Sequence, residues 1–252
     1  MIRQTSQAVI NRNKPLLKRI EQIKQDHPFW GYRRVWAHLK FVDQWVVNKK
    51  RVYNVMKKHH LIVTKETRLK AIRTPRAKPK ADHPDQIWGI DMTKIKVSEL
   101  GWIYVVITLD WYTKKIVGHS INIRSKTSDW LEALERGLCA QFPQSCKGEG
   151  VRLVSDNGCQ PTSGKFMKTC QQLNVKQIFT SYNNPKGNAE TERMMRTLKE
   201  ELLWLREWKS YQELKIALDS WIKQYNRSYL HSALGYRSPE SVERNYYEKR
   251  VA

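Results

Sequence analysis

The sequence predicts an α/β protein in two parts, a small basic helical domain followed by a larger domain with a mixed sheet. Three segments rich in alternating, β-branched and aromatic residues follow one another between residues 87 and 123, separated by short turns. Helical and strand patterns then alternate, as in a sheet that is covered by helices. The first 80 residues carry 21 Lys and Arg against 4 Asp and Glu, whereas the remaining residues carry 25 against 20.

This uneven charge indicates a basic arm or domain that meets a polyanion, and nucleic acid is the simplest candidate. A membrane surface is disfavoured, because the cations are spread over several segments rather than along one helix face. There is no apolar run long enough to span a bilayer and no signal-peptide pattern at the start, so we expect a cytoplasmic protein without a membrane partner. The four cysteines show no Cys-x-x-Cys pairing and are expected to be reduced thiols.

Residues 1–62 predict three short amphipathic helices, over 14–25, 31–40 and 49–58, the last capped by Asn48. Three helices with a basic final one are typical of a helix-turn-helix, whose last helix enters the major groove. A basic three-helix domain that touches no base is the alternative. The cations expected to contact DNA open the third helix or lie on the outer face of the second: Lys49, Lys50, Arg51, Arg33 and Arg34.

Residues 63–84 have the composition of a linker, with few apolar residues, several prolines and many cations. We expect this segment to be extended and to follow a DNA backbone. The pattern then changes to that of a folded core at 85–205 and a helical extension at 206–252. The elements expected there are strands at 87–97, 102–109 and 115–123, a helix at 127–142, a strand at 151–155, a helix at 163–173, a strand at 176–179, and helices at 188–205, 211–228 and from Ser238-Pro239 onward.

Three acidic residues occur where such a fold could gather them. Asp91 lies inside the first strand among apolar neighbours, Asp156 follows the strand at 151–155, and Glu192 lies near the start of the helix at 188–205. Carboxylate oxygens are the ligands that Mg²⁺ prefers, and two such ions can support an in-line phosphoryl displacement. Any single acid has an ordinary alternative as a turn, cap or surface residue.

The helix at 188–205 is predicted to be amphipathic throughout. An α-helical period puts Met195, Leu198, Leu202 and Leu205 on its buried side. The same period puts Glu192, Arg196 and Lys199 on one polar line, a carboxylate followed by two cations. A solvated face with an ordinary i, i+4 ion pair is the alternative interpretation of that line.

Two nearby acids are expected to lie outside this set. Asp110 ends the second strand, where aspartate commonly opens a turn. Glu190 is two residues from Glu192, about 200° away around an α-helix, so the two side chains cannot face one site.

The acidic segments together resemble the three motifs of the retroviral-integrase-like transposases of bacterial insertion sequences, specifically the protein of the second of two overlapping reading frames. Between Asp156 and Glu192 lie 35 residues, which is the spacing of that family. The resemblance covers nearly the whole chain. The segments that carry it are Gly89–Thr93, Val154–Gly158, Asn184–Glu192, Arg196–Lys199, Tyr225–Arg227, His231–Gly235 and Ser238-Pro239, with Phe29–Leu39 and Asn48–Val52 in the basic domain.

The resemblance implies an RNase H-like core and a DDE-type transposase that cleaves transposon ends to 3′-hydroxyls and joins them to DNA. It implies that Asp91, Asp156 and Glu192 are the catalytic metal ligands for two Mg²⁺ ions, which Mn²⁺ can replace. It also places Asn157, Arg196 and Lys199 near transposon-end DNA. Gly187, Arg193 and the residue before His231 depart from common family patterns, but no catalytic acid is missing.

The implied partners are double-stranded DNA, both transposon ends and target, further copies of the chain, and a protein made from the first reading frame. The implied location is the bacterial cytoplasm, in association with the nucleoid. Two alternatives stay open at this point. One is a DNA-binding protein without catalysis, and the other is a nuclease on the same fold that cuts but does not join.

Overall fold

The computed structural model of the chain describes residues 7–63, 80–180 and 187–251, except for the side chains of Ile10 and Val251. The chain divides into two compact units, Met1–Arg73 and Thr74–Ala252. Most of the predicted linker, residues 64–79, lies outside the described residues, so its expected course along DNA has no structural counterpart here. Part of the third acidic motif, residues 181–186, lies outside them as well.

The first unit is the predicted group of three helices, α1 (Gln7–Asp26), α2 (Tyr32–Phe41) and α3 (Lys49–Lys58). α1 begins well before the predicted residue 14; the apolar residues of its first two turns, Ala8–Ile10, are consecutive and show no helical period. Asn48 is the N-cap of α3, since its side chain accepts a hydrogen bond from the backbone N–H of Lys50 at 2.8 Å. Each helix contributes to the small core: Leu16, Ile20, Val35, Leu39, Val52 and Met56 are all buried.

The second unit is built on a five-stranded mixed sheet. The strands are β1 (Ile87–Val97), β2 (Gly101–Asp110), β3 (Ile116–Asn122), β4 (Arg152–Ser155) and β5 (Lys176–Phe179). Their order across the sheet is β3-β2-β1-β4-β5. The first three form an antiparallel meander, and β1, β4 and β5 run parallel. The predicted α/β class and mixed sheet are therefore confirmed.

Helices cover this sheet on both faces. They are α4 (Thr127–Gln141), α5 (Gly164–Gln172), α6 (Ala189–Leu198), α7 (Tyr211–Ser228) and α8 (Pro239–Val251), with a π turn at Lys199–Leu203 and a 3₁₀ turn at Ser232–Leu234. Trp88, Ile90, Leu134 and Phe166 are central to the core between the sheet and α4–α5. All four cysteines are free thiols, as expected. Within the described ranges, the helices are too short or too polar to span a bilayer.

The predicted long helix at 188–205 is interrupted after Leu198 by the π turn. The backbone N–H of Trp204 donates to the carbonyl of Lys199, five residues earlier, at 2.9 Å. A π turn holds one more residue than an α turn, so the side chains that follow are rotated around the axis. Leu203 is consequently buried, whereas Leu205 is 42% exposed. The predicted burial of Leu205 is therefore wrong, and Leu202 is only partly buried.

The C-terminal segment belongs to the same compact unit as the sheet. The Asn226 side chain accepts from the N–H of Ile116 and donates to its carbonyl, both at 2.9 Å. The hydroxyls of Tyr211 and Tyr225, also on α7, donate to the carbonyls of Ile121 and Lys114. α7 is thus fastened along the outer edge of β3 by polar side chains as well as by its buried Leu214, Leu218 and Ile222.

Candidate active site

Asp91 and Asp156 are brought to neighbouring positions by the parallel pairing of β1 and β4. The last paired residues are Gly89 and Val154, and each aspartate lies two residues further along its own strand direction. Because side chains alternate along a strand, Asp91 lies on the same face as Gly89, and Asp156 is the first residue after β4. The predicted juxtaposition of these two acids at the end of β4 therefore follows from the strand register.

Glu192 reaches this region because α6 lies unusually close to β1. A Cβ atom added to Gly89 would lie 1.9 Å from Thr191 Oγ1 and 2.4 Å from Trp111 Nε1, so only glycine allows this approach. The indole N–H of Trp111 donates to Thr191 Oγ1 at 3.1 Å, which fixes the first turn of α6 against the sheet. Glu192 follows Thr191 directly and is exposed.

The pKa of Asp91 shows that the charges of the other two acids act on it. The pKa of Asp91 is raised to about 6, mainly by burial and also by the negative charges of Asp156 and Glu192. The Met92 N–H, which donates to Asp91 Oδ1 at 2.8 Å, and the positive charge of Lys199 act in the opposite direction on the same pKa. Asp91, Asp156, Glu192 and Lys199 therefore share one local electric field.

The donor set matches a hard divalent cation in chemistry and in charge. All three candidates offer carboxylate oxygens, and their mutual repulsion would be relieved by a cation. Asp156 Oδ1 is already held by the Gly158 N–H at 3.0 Å, as Asp91 Oδ1 is by Met92. Among the described residues, three or more His, Cys, Asp or Glu side chains do not come close enough to form a ready-made metal site. The side chains would therefore have to close in on an ion.

The residues predicted to accompany the acids have different surroundings. Asn157 donates from its side-chain Nδ2 to the Thr180 carbonyl, which ties the loop after β4 to the end of β5. Arg196 forms an ion pair with Glu200 at 2.6 Å, which is not the Glu192–Arg196 pair considered from the sequence, and it keeps 58% of its side chain exposed. Lys199, at the start of the π turn, acts on the pKa of Asp91.

The two acids set aside from the site have structural partners. Asp110 is buried and accepts hydrogen bonds from the N–H and the hydroxyl of Thr113 and from the N–H of Asp85. Its predicted role in the turn after β2 is confirmed. Glu190 forms an ion pair with Lys114 at 2.8 Å, so its carboxylate is directed to the β2–β3 turn.

The close packing around Gly89 was not anticipated from the sequence. A glycine two residues before an acid in a strand is a signal of close backbone approach, but it does not tell which segment approaches. Thr191 and Trp111 are 102 and 22 residues away from Gly89 along the chain, so this contact exists only in the folded protein.

The cations of the basic unit are not equivalent. Lys50 is exposed in the first turn of α3, and the Lys49 ammonium lies 4.2 Å from the centre of the Trp36 ring. The Arg51 guanidinium donates to Asn13 Oδ1 and to the Arg12 carbonyl, both at 2.9 Å, and so joins α3 to α1. Of the two arginines on α2, Arg33 is exposed and Arg34 is half-buried.

Comparison with known families agrees with this division. Residues 11–68 match a family described as an HTH-like domain. Residues 81–185 and 173–239 match two families that are both described as integrase core domain. The two integrase matches together run from residue 81 to 239, which is more than half of the chain.

Similar proteins and structures point the same way. The chain is 30% identical over 166 residues to the transposase for insertion sequence element IS904 of Lactococcus lactis, covering 66% of the chain and 64% of that protein. It is 24% identical over 237 residues to the transposase InsD for insertion element IS2 of Escherichia coli, covering 91% of the chain and 78% of that protein. A simian T-cell lymphotropic virus intasome, solved in complex with a PP2A regulatory subunit, has the same fold, with a TM-score of 0.54 at 15% identity over 89% of the chain and 74% of that protein.

The fold, an RNase H-like core accompanied by an HTH-like unit, and the family matches define the class: the chain belongs to the integrase core family. Within that family, the two relatives named above are transposases of insertion sequence elements. The chain spans just under two thirds of the length of the Lactococcus relative.

Proposed function

We propose that the protein cleaves the ends of a DNA element to give 3′-hydroxyls and joins these ends to target DNA. The observation that carries the proposal is the shared field of the acids, in which Asp156 and Glu192 both raise the pKa of the half-buried Asp91. Carboxylates that repel one another at the end of a sheet need a compensating charge. A phosphodiester approaching with divalent cations would meet that need.

Asp91, Asp156 and Glu192 would hold two Mg²⁺ ions, with Mn²⁺ as a substitute. Such ions, when bound, supply positive charge that stabilises a phosphodiester under in-line attack. The chain itself contributes the placement of the acids. Gly89 and Thr191 seat Glu192 against β1, and the hydrogen bond from Asn157 to Thr180 holds the loop that carries Asp156.

The cations that follow Glu192 fit a role in holding the DNA. Lys199 lies close enough to Asp91 to lower its pKa, so it would contact a phosphate that is already near the acids. Arg196 is mostly exposed and, within the described part of the chain, forms an ion pair with the nearby Glu200, so its guanidinium is accessible to a phosphate further out. Water would attack first, and the released 3′-hydroxyl would attack the target strand.

The helix-turn-helix unit would bind the element ends, with α3 in the major groove. Lys50 and Lys49, at the start of α3, and Arg33 on α2 are the cations best placed for this. Arg51 would act mainly by holding α3 against α1, because its guanidinium already donates to two groups of that helix. Assembly of several copies on two DNA ends, and a partner protein from the first reading frame, belong to the same proposal.

The acids are tested by substitution with isosteric amides. We expect Asp156→Asn and Glu192→Gln to bind element-end DNA with unchanged affinity and to lose Mg²⁺-dependent strand cleavage by at least about 100-fold, since each loses a charged metal ligand. Cleavage is measured on labelled duplexes across a Mg²⁺ titration. Glu190→Gln is the matched control, because it changes an acid of the same helix that pairs with Lys114, and it should retain cleavage within a few fold.

Full cleavage by Asp156→Asn would overturn the assignment of the acids. Binding by the unmodified chain without cleavage at any Mg²⁺ or Mn²⁺ concentration would indicate a DNA-binding protein without catalysis. Cleavage without joining, in an assay that supplies target DNA, would indicate a nuclease.

A further inference from the structure

One face of the β1–β2 hairpin carries a group of cationic and aromatic side chains outside the acid site. On this face α4 and its core cover Ile90 and Val106. Beyond them the same face continues with two cross-strand pairs, Lys94 with Tyr104 and Lys96 with Trp102. We refer to these four residues, Lys94, Lys96, Trp102 and Tyr104, as the hairpin platform.

The platform exposes an aromatic ring that a folded core would normally bury. Trp102 is 48% exposed, and the Lys94 ammonium lies 4.5 Å from the centre of its ring. Both lysines are exposed, and Tyr104 is half-buried. A tryptophan held in the open beside cations suits a partner with a flat π face and negative charge.

The surroundings of the platform add to its positive charge. Asn122 on β3 pairs with Tyr104 and continues the row across the sheet, and the exposed Arg124 and Lys126 follow it. The acids near it are Glu99 in the hairpin turn, Asp129, which accepts from the Lys126 N–H at 2.7 Å, and Glu132, which forms an ion pair with Arg136 at 2.6 Å. Four cations therefore outweigh the acids here, which matches a polyanion rather than an apolar protein surface or a neutral lipid.

The platform also lies close to the acid site along the chain. Lys94 is three residues from Asp91 on β1, about 10 Å at the usual rise of a strand, and its side chain is on the opposite face. The pairing of β1 with β4 ends at Gly89. The next backbone pairing on β1 outside the hairpin is the bridge from Val97 to Trp208. A nucleic acid strand that passes from one face to the other would therefore cross the edge of β1 between these two points.

We propose that the hairpin platform binds an unpaired DNA strand next to the scissile phosphate. A base stacks on Trp102, and Lys94 and Lys96 contact the adjoining phosphates. Exposed aromatic residues on a sheet, flanked by cations, bind single strands in this way because every base offers a π face. The inference rests on the proposed function, since it assigns a path to the DNA of the same site.

Photo-crosslinking of the full chain tests this directly. The probe is an oligothymidylate containing 5-bromodeoxyuridine, irradiated with the Asp156→Asn protein and mapped by mass spectrometry. We expect a crosslink in the peptide that contains Trp102, reduced about tenfold or more by Trp102→Ala and mostly retained by Trp102→Phe, which keeps a stacking ring. Lys94→Gln with Lys96→Gln should lower crosslinking and weaken its dependence on salt.

Trp204→Ala is the matched control, because Trp204 is a similarly exposed tryptophan, at 55%, that the proposal does not use. Circular dichroism and thermal melts show whether Trp102→Ala is still folded, and Trp102→Phe covers the case in which it is not. Crosslinks confined to residues 7–63, or equal loss in Trp102→Ala and Trp204→Ala, would overturn the proposal. Crosslinking requires no cleavage, so it can succeed when Asp156→Asn still cuts, and it can fail when the assignment of the acids holds.

Discussion

Two aspartates of the core, Asp91 and Asp110, have a raised pKa of about 6, and burial is the main cause for both. They differ in what surrounds the carboxylate. Asp110 is held by hydrogen bonds from Thr113 and Asp85, so its charge is satisfied inside the turn. One neighbouring acid, Asp85, raises the pKa of Asp110, whereas two, Asp156 and Glu192, raise that of Asp91. The contrast separates a structural carboxylate from one that is suited to bind a cation.

The pKa of Asp110 gives stability a defined dependence on pH. A carboxyl group whose pKa is higher in the folded protein binds its proton more tightly there, so its contribution to stability is present at low pH and is lost as pH rises. The loss occurs between about pH 4, the ordinary pKa of an aspartate in an unfolded chain, and about pH 6, the pKa of Asp110 in the folded protein. Across this range we expect the free energy of unfolding of the unmodified protein to fall by roughly 1–3 kcal/mol relative to Asp110→Asn.

Urea unfolding at several pH values measures this difference. Asp110→Asn also loses a hydrogen bond, because an amide has only one accepting oxygen, and this lowers stability by a constant amount at every pH. Asp82→Asn, which changes an exposed acid shortly before β1, serves as the control and should not alter the pH dependence. A difference that stays the same from pH 4 to pH 7 would contradict the raised pKa of Asp110.

Single residues could be predicted from the sequence where a motif carried them. The three acids were singled out by residue type and position, and their assignment as metal ligands came from the resemblance to a known family. The separate roles of Asp110 and Glu190 were predicted from position in a strand and around a helix. The function of Gly89 and the engagement of Arg51 with α1 could not be predicted. Both depend on contacts with residues that are remote in sequence, and no local sequence pattern shows which remote residue will be in contact.

At the scale of elements, the alternating and amphipathic patterns gave accurate bounds. β1, β5 and α7 span the predicted residues, because each combines a clear period with a turn or cap at its ends. The π turn after α6 could not be predicted in this way. It keeps a helical appearance in the sequence, but it adds a residue to the turn and changes which leucine faces the core.

Because of the π turn, we expect truncation of two adjacent leucines to lower stability by different amounts. Leu203 is 1% exposed, whereas Leu202 is only partly buried. We expect Leu203→Ala to lower the free energy of unfolding by about 2–4 kcal/mol and Leu202→Ala by less than about 1.5 kcal/mol, because only the first leaves a cavity in a closed core. Chemical denaturation of the two variants measures this. A larger loss for Leu202→Ala would mean that the helix continues as a regular α-helix.

At the scale of the whole molecule, the chain consists of two units with separate cores. The sequence indicated this division through its charge, since the basic excess is concentrated in the first 80 residues. It could not show that the C-terminal helices belong to the core unit, because their polar bonds to β3 join residues about 100 positions apart, such as Ile116 and Asn226.

The two units should unfold independently. We expect a fragment of residues 80–252 to fold by itself and to melt within about 3 °C of one of two transitions of the full chain, because its core includes no residue of the first unit. The fragment should lose most of its affinity for duplex DNA at moderate salt, since it lacks most of the excess positive charge. Differential scanning calorimetry and binding titrations measure both. A single transition in the full chain, absent from the fragment, would show that the units fold together.

The fastening of α7 to β3 bears on how copies of this protein can associate. An outermost strand normally presents free amide and carbonyl groups onto which a strand of another molecule can be added. Here Asn226, Tyr211 and Tyr225 already occupy such groups at Ile116, Ile121 and Lys114. These bonds hinder the addition of a strand from another copy at that edge of the sheet. Many copies bound to one DNA molecule are therefore not expected to form fibres through this edge. The outer surface of α7 is what this side offers to another copy instead.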